Sequence, residues 1–252
     1  MENKKLTYVW GIPTRFFHWS LALALVGAYI AEEEYLTAHV SFGYAAGILV
    51  LFRILWGLAG PRYSRFRDFP IGIKSISGFI KGFGKSGNVY AGHNPPASLV
   101  MLGIIFDVLL IAVTGMLTLA QEGGQGLFKS LTLPSGIEFK ELHEVFVQTG
   151  IVLVIIHLAG LLADLFIHKS DSSLKSMFTG YKSGVSAEDA QLTGFQKILA
   201  TGWILAPLVA FIMVITGPPI QVSEGEGDAG STEMNENGGE QGEEGEEGED
   251  ED

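Results

Sequence analysis

Apolar and polar stretches alternate along this chain on the length scale of a lipid bilayer. Residues 16–31, 39–58, 97–120, 142–167 and 198–215 are dominated by Leu, Ile, Val, Ala, Phe and Gly. A helix of about 20 such residues crosses the hydrocarbon core of a membrane. The pattern therefore predicts an all-α integral membrane protein: a four-helix transmembrane bundle followed by a fifth, C-terminal transmembrane helix over 198–215, Pro207 notwithstanding. Between the second and third runs, the middle of a polar stretch (residues 71–83) has apolar residues at helical spacing, as in a helix lying along the membrane surface. Asn94 before Pro95 and Pro96 is a helix start signal. Residues 121–141 read as a glycine-containing loop and residues 168–197 as a polar connection. From residue 218 on, Gly and Glu dominate, too polar a composition to bury a core. The first run follows Lys4 and Lys5, as a secretory leader would, but no A-x-A site precedes Glu32 and His18 interrupts the apolar stretch. A retained span is the expectation.

Charge changes this picture in two ways. The formal net charge of −12 is uneven: 14 of the 28 acidic residues lie after residue 220, where there is no Lys or Arg. The remainder is near neutral and the tail is a polyanion, which argues against a nucleic-acid partner. Basic residues also orient the spans. With the N-terminus in the cytoplasm, thirteen of the sixteen Lys and Arg fall in inside segments, and only Lys129 and Lys140 fall outside. Five spans then put the acidic tail in the periplasm of a bacterial inner membrane. The absence of cysteine excludes disulfides, covalently attached c-type haem and cysteine-held iron–sulfur clusters, and leaves the redox compartment open.

Candidate chemistry comes from histidines inside the spans, since an ionisable group there is a functional-site hypothesis by default. His143 and His157 share one helix, fourteen residues apart. At 100° and 1.5 Å per residue they project within about 40° of one face, separated by about 21 Å of rise. The first span runs outward, placing His18 near the inner side; the second returns, placing His39 near the outer side. The fourth runs inward, so its His143 matches His39 in depth and its His157 matches His18. Two facing imidazoles in a helix bundle are the axial ligands a b-type haem requires, and with both axial positions filled the iron serves electron transfer. A zinc or copper site would need three or four ligands converging at one depth.

Several separated blocks carry a family resemblance. Val9-Trp10-Gly11-Ile12-Pro13-Thr14-Arg15-Phe16-Phe17-His18-Trp19 is similar to the opening of the bacterial di-haem cytochrome b561 family, which includes the b-type cytochrome subunit of nickel–iron hydrogenases. His39-Val40-Ser41-Phe42-Gly43-Tyr44, the stretch from Phe52-Arg53 to Pro61-Arg62, Gly92-His93-Asn94-Pro95, Thr114-Gly115, Leu142-His143-Glu144 and Thr179-Gly180-Tyr181-Lys182 resemble that family in order and spacing. The resemblance covers roughly residues 8–182. It implies a di-haem membrane domain over 1–182, two haems b held by His18 with His157 and by His39 with His143, and electron exchange between the quinone pool and a partner protein. Residues 183–217 are then a linker and the extra transmembrane helix, and 218–252 an acidic tail, both departures from the family pattern. Because the outer loops are modest, a soluble periplasmic cytochrome c is the expected partner.

Other residues carry two readings each. Arg53 lies fourteen residues after His39, hence one layer inward. Arg53 or Arg15 is expected to meet the inner haem's propionates through the planar guanidinium fork, against snorkelling to the surface. His93 is read as a surface residue beside a helix cap, or as a propionate or quinone contact. Asp107, alone at mid-span, is read as a neutral helix-facing carboxyl or as a group in proton movement. Glu144 and Asp164 flank the histidines and are candidates to hold their second ring nitrogens. Gly43, Gly47 and Gly115 allow close approach of a helix or a porphyrin. The tail is read as an electrostatic antenna for a basic cytochrome c or as a solubilising extension. The expected function is thus a di-haem b-type cytochrome relaying electrons between quinone and a periplasmic redox partner, with quinol–cytochrome oxidoreduction as the activity to test. The rivals are a b-type cytochrome anchor subunit of a hydrogenase or other oxidoreductase, and a His-lined metal ion transporter.

Overall fold

The computed structural model describes residues 6–32, 34–82, 90–168, 173–185 and 187–220. The acidic tail from 221, together with Lys4, Lys5, Lys85 and Lys169, lies outside the described residues. In chain order the elements are β1 (Leu6–Tyr8), α1 (Ile12–Ala31), α2 (Leu36–Ala59), one 3-10 turn (Phe66–Asp68), α3 (Ile73–Lys81), α4 (Pro95–Gly123), α5 (Phe139–His168), α6 (Ser173–Thr179), β2 (Tyr181–Ser183) and α7 (Gly194–Ile215). Helices α2, α4, α5 and α7 are long and apolar enough to cross a membrane. The 20 residues of α1 span about 30 Å, the same thickness. Arg15 and His18, in its first two turns, make it the least apolar of the five.

Helix α2 is the hub. It packs on α1, α4 and α7, whereas α5 rests on α4. Phe17, Leu21 and Ala24 of α1, Ala46, Leu49, Val50, Phe52 and Trp56 of α2, Ile105 and Val108 of α4 and Ala200 of α7 form one buried cluster. Outward faces remain apolar, as Ile30, Phe166 and Ile198 show. Water would penalise such faces and hydrocarbon would not. The α7 helix is fastened at both ends. Thr193 and Gln196 form a reciprocal capping box, and Gln196 Nε2 donates to the Ala59 carbonyl at 2.8 Å where α2 ends. At the other end the Ile220 amide donates to Thr37 Oγ1 at 3.3 Å.

The end of the bundle that carries Arg62, Arg65, Arg67, Lys74 and Lys81, called the basic end below, is closed by a small sheet. Strands β1 and β2 pair antiparallel with Thr7 opposite Lys182. Just beyond the ladder, Gly180 at φ 89° turns its carbonyl to accept from the amides of Val9 (2.8 Å) and Trp10 (3.1 Å). The segment expected to be a linker is held to β1 as well: Tyr8 N donates to Asp189 Oδ1 at 2.7 Å, and Ala190 N donates to the Tyr8 carbonyl at 2.8 Å. Beneath the sheet, Trp56 Nε1 donates to Thr14 Oγ1 (3.1 Å), which is 2.9 Å from Ser64 Oγ, and Trp10 Nε1 donates to Ser176 Oγ (3.1 Å). These buried bonds tie the start of α1 to the end of α2 and to α6.

Candidate functional site: two imidazole pairs on one helix

Antiparallel α1 and α2, joined by a short turn, place His18 in the second turn of one and His39 in the first turn of the other, at opposite ends of the bundle. Helix α5 runs past both. His18 and His157 have ring centres 6.4 Å apart at the basic end, and His39 and His143 have ring centres 6.1 Å apart at the opposite end. Two imidazoles that share one metal ion at about 2 Å each hold their ring centres roughly 6.3 Å apart. Both observed separations fit that arrangement.

The hydrogen bonds behind the rings orient them. His39 Nδ1 lies 2.9 Å from the Ala28 carbonyl and His143 Nδ1 lies 3.0 Å from the Ile111 carbonyl. A carbonyl only accepts, so in each ring Nδ1 carries the proton and Nε2 keeps its lone pair for a metal. A backbone carbonyl thus fills the place considered for Glu144; Asp164 Oδ2 accepts from the Ser173 amide at 2.6 Å, at the start of α6. Gly115 makes the room: a Cβ there would lie 3.0 Å from His143 Cε1. At Gly43, one turn past His39, a Cβ would meet nothing within 4 Å, which suits the edge of a flat group. Gly47 serves helix packing, with Ala112 Cβ 3.3 Å from its would-be Cβ. His18 stacks edge-on against Trp19 at 4.9 Å, and its buried Nδ1 has no hydrogen-bond partner.

The basic end also gathers cations. Arg53 is 2 % exposed, its guanidinium 5.1 Å from the Phe66 ring centre and 5.9 Å from that of Phe69, with Nη1 unpartnered. It does not snorkel. Arg15 donates from Nη1 to the Phe178 carbonyl at 2.6 Å, leaving a buried Nε without a partner. His93 lies between Trp10 (4.8 Å) and Phe69 (5.2 Å), again with Nδ1 unpartnered, while Asn94 beside it caps α4 through the Ala97 amide at 2.8 Å. Burial first, and then the charges of Arg53 and Lys182, lower the His93 pKa to about 3, so this imidazole is neutral at pH 7. Lys182, 6 % exposed and donating to Ser173 Oγ at 3.1 Å, belongs to the group, although the sequence marked it only as a loop charge and as the end of the Thr179–Lys182 block. The structure shows why: it sits at the middle of a three-residue strand, where the side chain turns inward. A buried cation or polar atom without a partner costs about 1–3 kcal/mol or more. Three such atoms together, on Arg15, Arg53 and His93, fit an anionic cofactor edge.

Asp107, 4 % exposed, belongs to neither pair; it faces α5 at Gly150, with Oδ2 unpartnered. Among the described residues, no three His, Asp or Glu side chains are placed to hold a metal ion by themselves. Two imidazoles at each depth suit a metal that arrives with its own equatorial nitrogens, as iron does in a porphyrin.

An apolar helix bundle with facing imidazoles within it defines the class: this is a membrane b-type cytochrome, a class that carries haem b. The chain belongs to the prokaryotic cytochrome b561 family, whose model matches residues 9–180. It is 24% identical over 218 residues to a Cupriavidus necator protein named "Probable Ni/Fe-hydrogenase B-type cytochrome subunit", covering 72% of this chain and 89% of that one. It is 25% identical over 177 residues to the "Probable Ni/Fe-hydrogenase 1 B-type cytochrome subunit" of Escherichia coli K12, covering 59% of this chain and 72% of the relative. No solved structure matches.

Proposed function

We propose that this chain holds two haems b, one between His18 and His157 and one between His39 and His143, and relays electrons across a bacterial membrane between the quinone pool and a redox partner. The observation that carries the reading is the pair of ring-centre separations, 6.4 and 6.1 Å, at the two ends of one helix. A haem with both axial positions filled supplies one-electron transfer. The protein's own residues do the rest. Ala28 and Ile111 carbonyls hold the tautomer of His39 and His143; Gly115 clears the space beside His143. Arg15, Arg53 and His93, with Lys182, would meet the propionates of a haem held at the basic end. The basic end is read as cytoplasmic, from the loop charges, and the partner docks at the other end.

Two partners are supported by different observations. The relatives' names favour a nickel–iron hydrogenase subunit. The 14 carboxylates after residue 220 favour a basic soluble cytochrome c. The test of the core reading is a reduced-minus-oxidised visible spectrum of the purified protein with haem quantified per chain. Sharp low-spin b-type bands at two haems per chain support it. One haem per chain removes one layer, and tight binding of a free metal ion without haem would favour the transporter reading instead.

A further inference from the structure

Gly150 is seven residues from His143 and seven from His157. Seven residues are two turns less about 20°, so Gly150 lies on the face that carries both histidines, about 10 Å along the axis from each. Against that midpoint sits the carboxyl of Asp107: a Cβ on Gly150 would lie 2.7 Å from its Oδ2 and 3.3 Å from Ile111 Cδ1. Oδ2 is buried and without a hydrogen-bond partner, and Asp107 forms no ion pair among the described residues. On α5, the titratable groups sharing this face are His143, His157 and, two turns further on, Asp164, which bonds the α6 backbone. On α2, His39 and Tyr44 belong to the layer of His143, and Arg53 to that of His157. On α3, Lys74 and Lys81 lie at the basic end. The carboxyl therefore stands between the two layers, with no cation beside it.

We propose that Asp107 is a redox-linked proton site shared by both layers, a positioning residue for charge rather than a ligand. The inference rests on the two-haem reading. A carboxylate in an apolar layer is repelled by an electron held in either neighbouring layer, because low dielectric extends the reach of charge. With haem bound, an electron supplied by a one-electron chemical reductant would be matched by one proton moving from water to the Asp107 carboxylate, which becomes a carboxylic acid and leaves hydroxide in the solvent. Reoxidation returns the proton to water. Electron and proton enter together, so the summed charge of the reduced layer and the carboxyl is unchanged.

The experiment is a potentiometric titration of the full-length holoprotein, followed in the visible spectrum at a series of pH values, for the unmodified chain, Asp107→Asn and Asp107→Glu. The midpoint potential of at least one haem is expected to fall as pH rises; Asp107→Asn flattens that dependence with both haems retained, and Asp107→Glu restores it. Unchanged pH dependence in Asp107→Asn overturns the proposal while leaving the relay intact. A haem count other than two in the unmodified protein overturns the relay first, and this inference with it. Should Asp107→Asn fail to assemble, redox-difference infrared spectra of the unmodified protein read the same proton. A carboxylic acid band that changes with haem oxidation state and moves in Asp107→Glu supports the proposal; no such band overturns it.

Discussion

His143 is held by more constraints than any other candidate ligand. The Ile111 carbonyl fixes its Nδ1 proton, Thr114 Oγ1 stands 3.3 Å from the same nitrogen, and Gly115 leaves room beside Cε1. Removing the imidazole takes away one layer's proposed α5 ligand and leaves the other layer untouched. On the proposed two-haem reading, His143→Ala is expected to lose the haem of the His39 layer and keep that of the His18 layer, halving haem per chain; His18→Ala is expected to do the reverse. Loss of both haems in a protein that still folds would contradict the depth pairing. Gly115→Ala places a methyl 3.0 Å from Cε1, which the ring accommodates only by shifting a few tenths of an ångström. A changed outer-haem potential at full occupancy is expected, and Gly115→Val should lower outer-haem occupancy as well. At the basic end, replacing the buried Arg53 with Met removes a cation from beside the inner layer. Its potential should fall while that of the outer layer holds, since nearby positive charge favours the reduced state. The histidine pairing was legible in the sequence because helix periodicity converts spacing directly into direction and depth. The partners of Arg53 were not, because Phe66 and Phe69 reach it from a loop whose path no periodicity dictates.

At the scale of elements, the spans were legible in number and order, and their ends were less so. Helix α4 starts at Pro95, as Asn94 and two prolines indicated, while α7 begins at Gly194 rather than 198. Its first turn consists of capping residues outside the apolar run. The β1–β2 pair escaped reading altogether: strands of three residues are too short for alternation to register. Yet this sheet positions Lys182 and braces Trp10 against His93. Gly180 is the residue it depends on. At φ 89° an L side chain is strained, and a Cβ would also lie 2.7 Å from the Tyr8 ring and 2.9 Å from the Trp10 carbonyl oxygen. Gly180→Ala is expected to cost about 1–3 kcal/mol of local stability, seen as protease sensitivity around residues 183–190 at temperatures where the unmodified protein resists. The transmembrane helices should remain helical by circular dichroism. Thr193→Ala removes one half of the α7 capping box and should cost about 1 kcal/mol, read as a lower thermal midpoint with the haem spectrum unchanged.

For the whole molecule, loop charge and the uneven distribution of acidic residues bear on what docks where. Half of all Asp and Glu lie after residue 220. If they steer a basic cytochrome c, truncation after Gln221 slows its reduction by the quinol-reduced protein at low ionic strength and leaves the rate at high salt unchanged, because screening erases the attraction. A rate equal to that of the full-length chain at low salt would leave the tail without that role and favour a stably bound oxidoreductase subunit. Packing carries a further consequence. Among the long helices α5 alone contributes nothing to the buried apolar cluster; it leans on α4 and meets α1 and α2 through the tips of imidazoles. Porphyrin would then act as mortar as well as wire. In a cell starved of iron or of porphyrin precursors, newly made chains should be nicked within 124–138, ahead of α5, and cleared. Abundance of this protein would track pigment supply even at constant transcription, a relation that pulse-chase labelling with and without an added haem precursor can read directly.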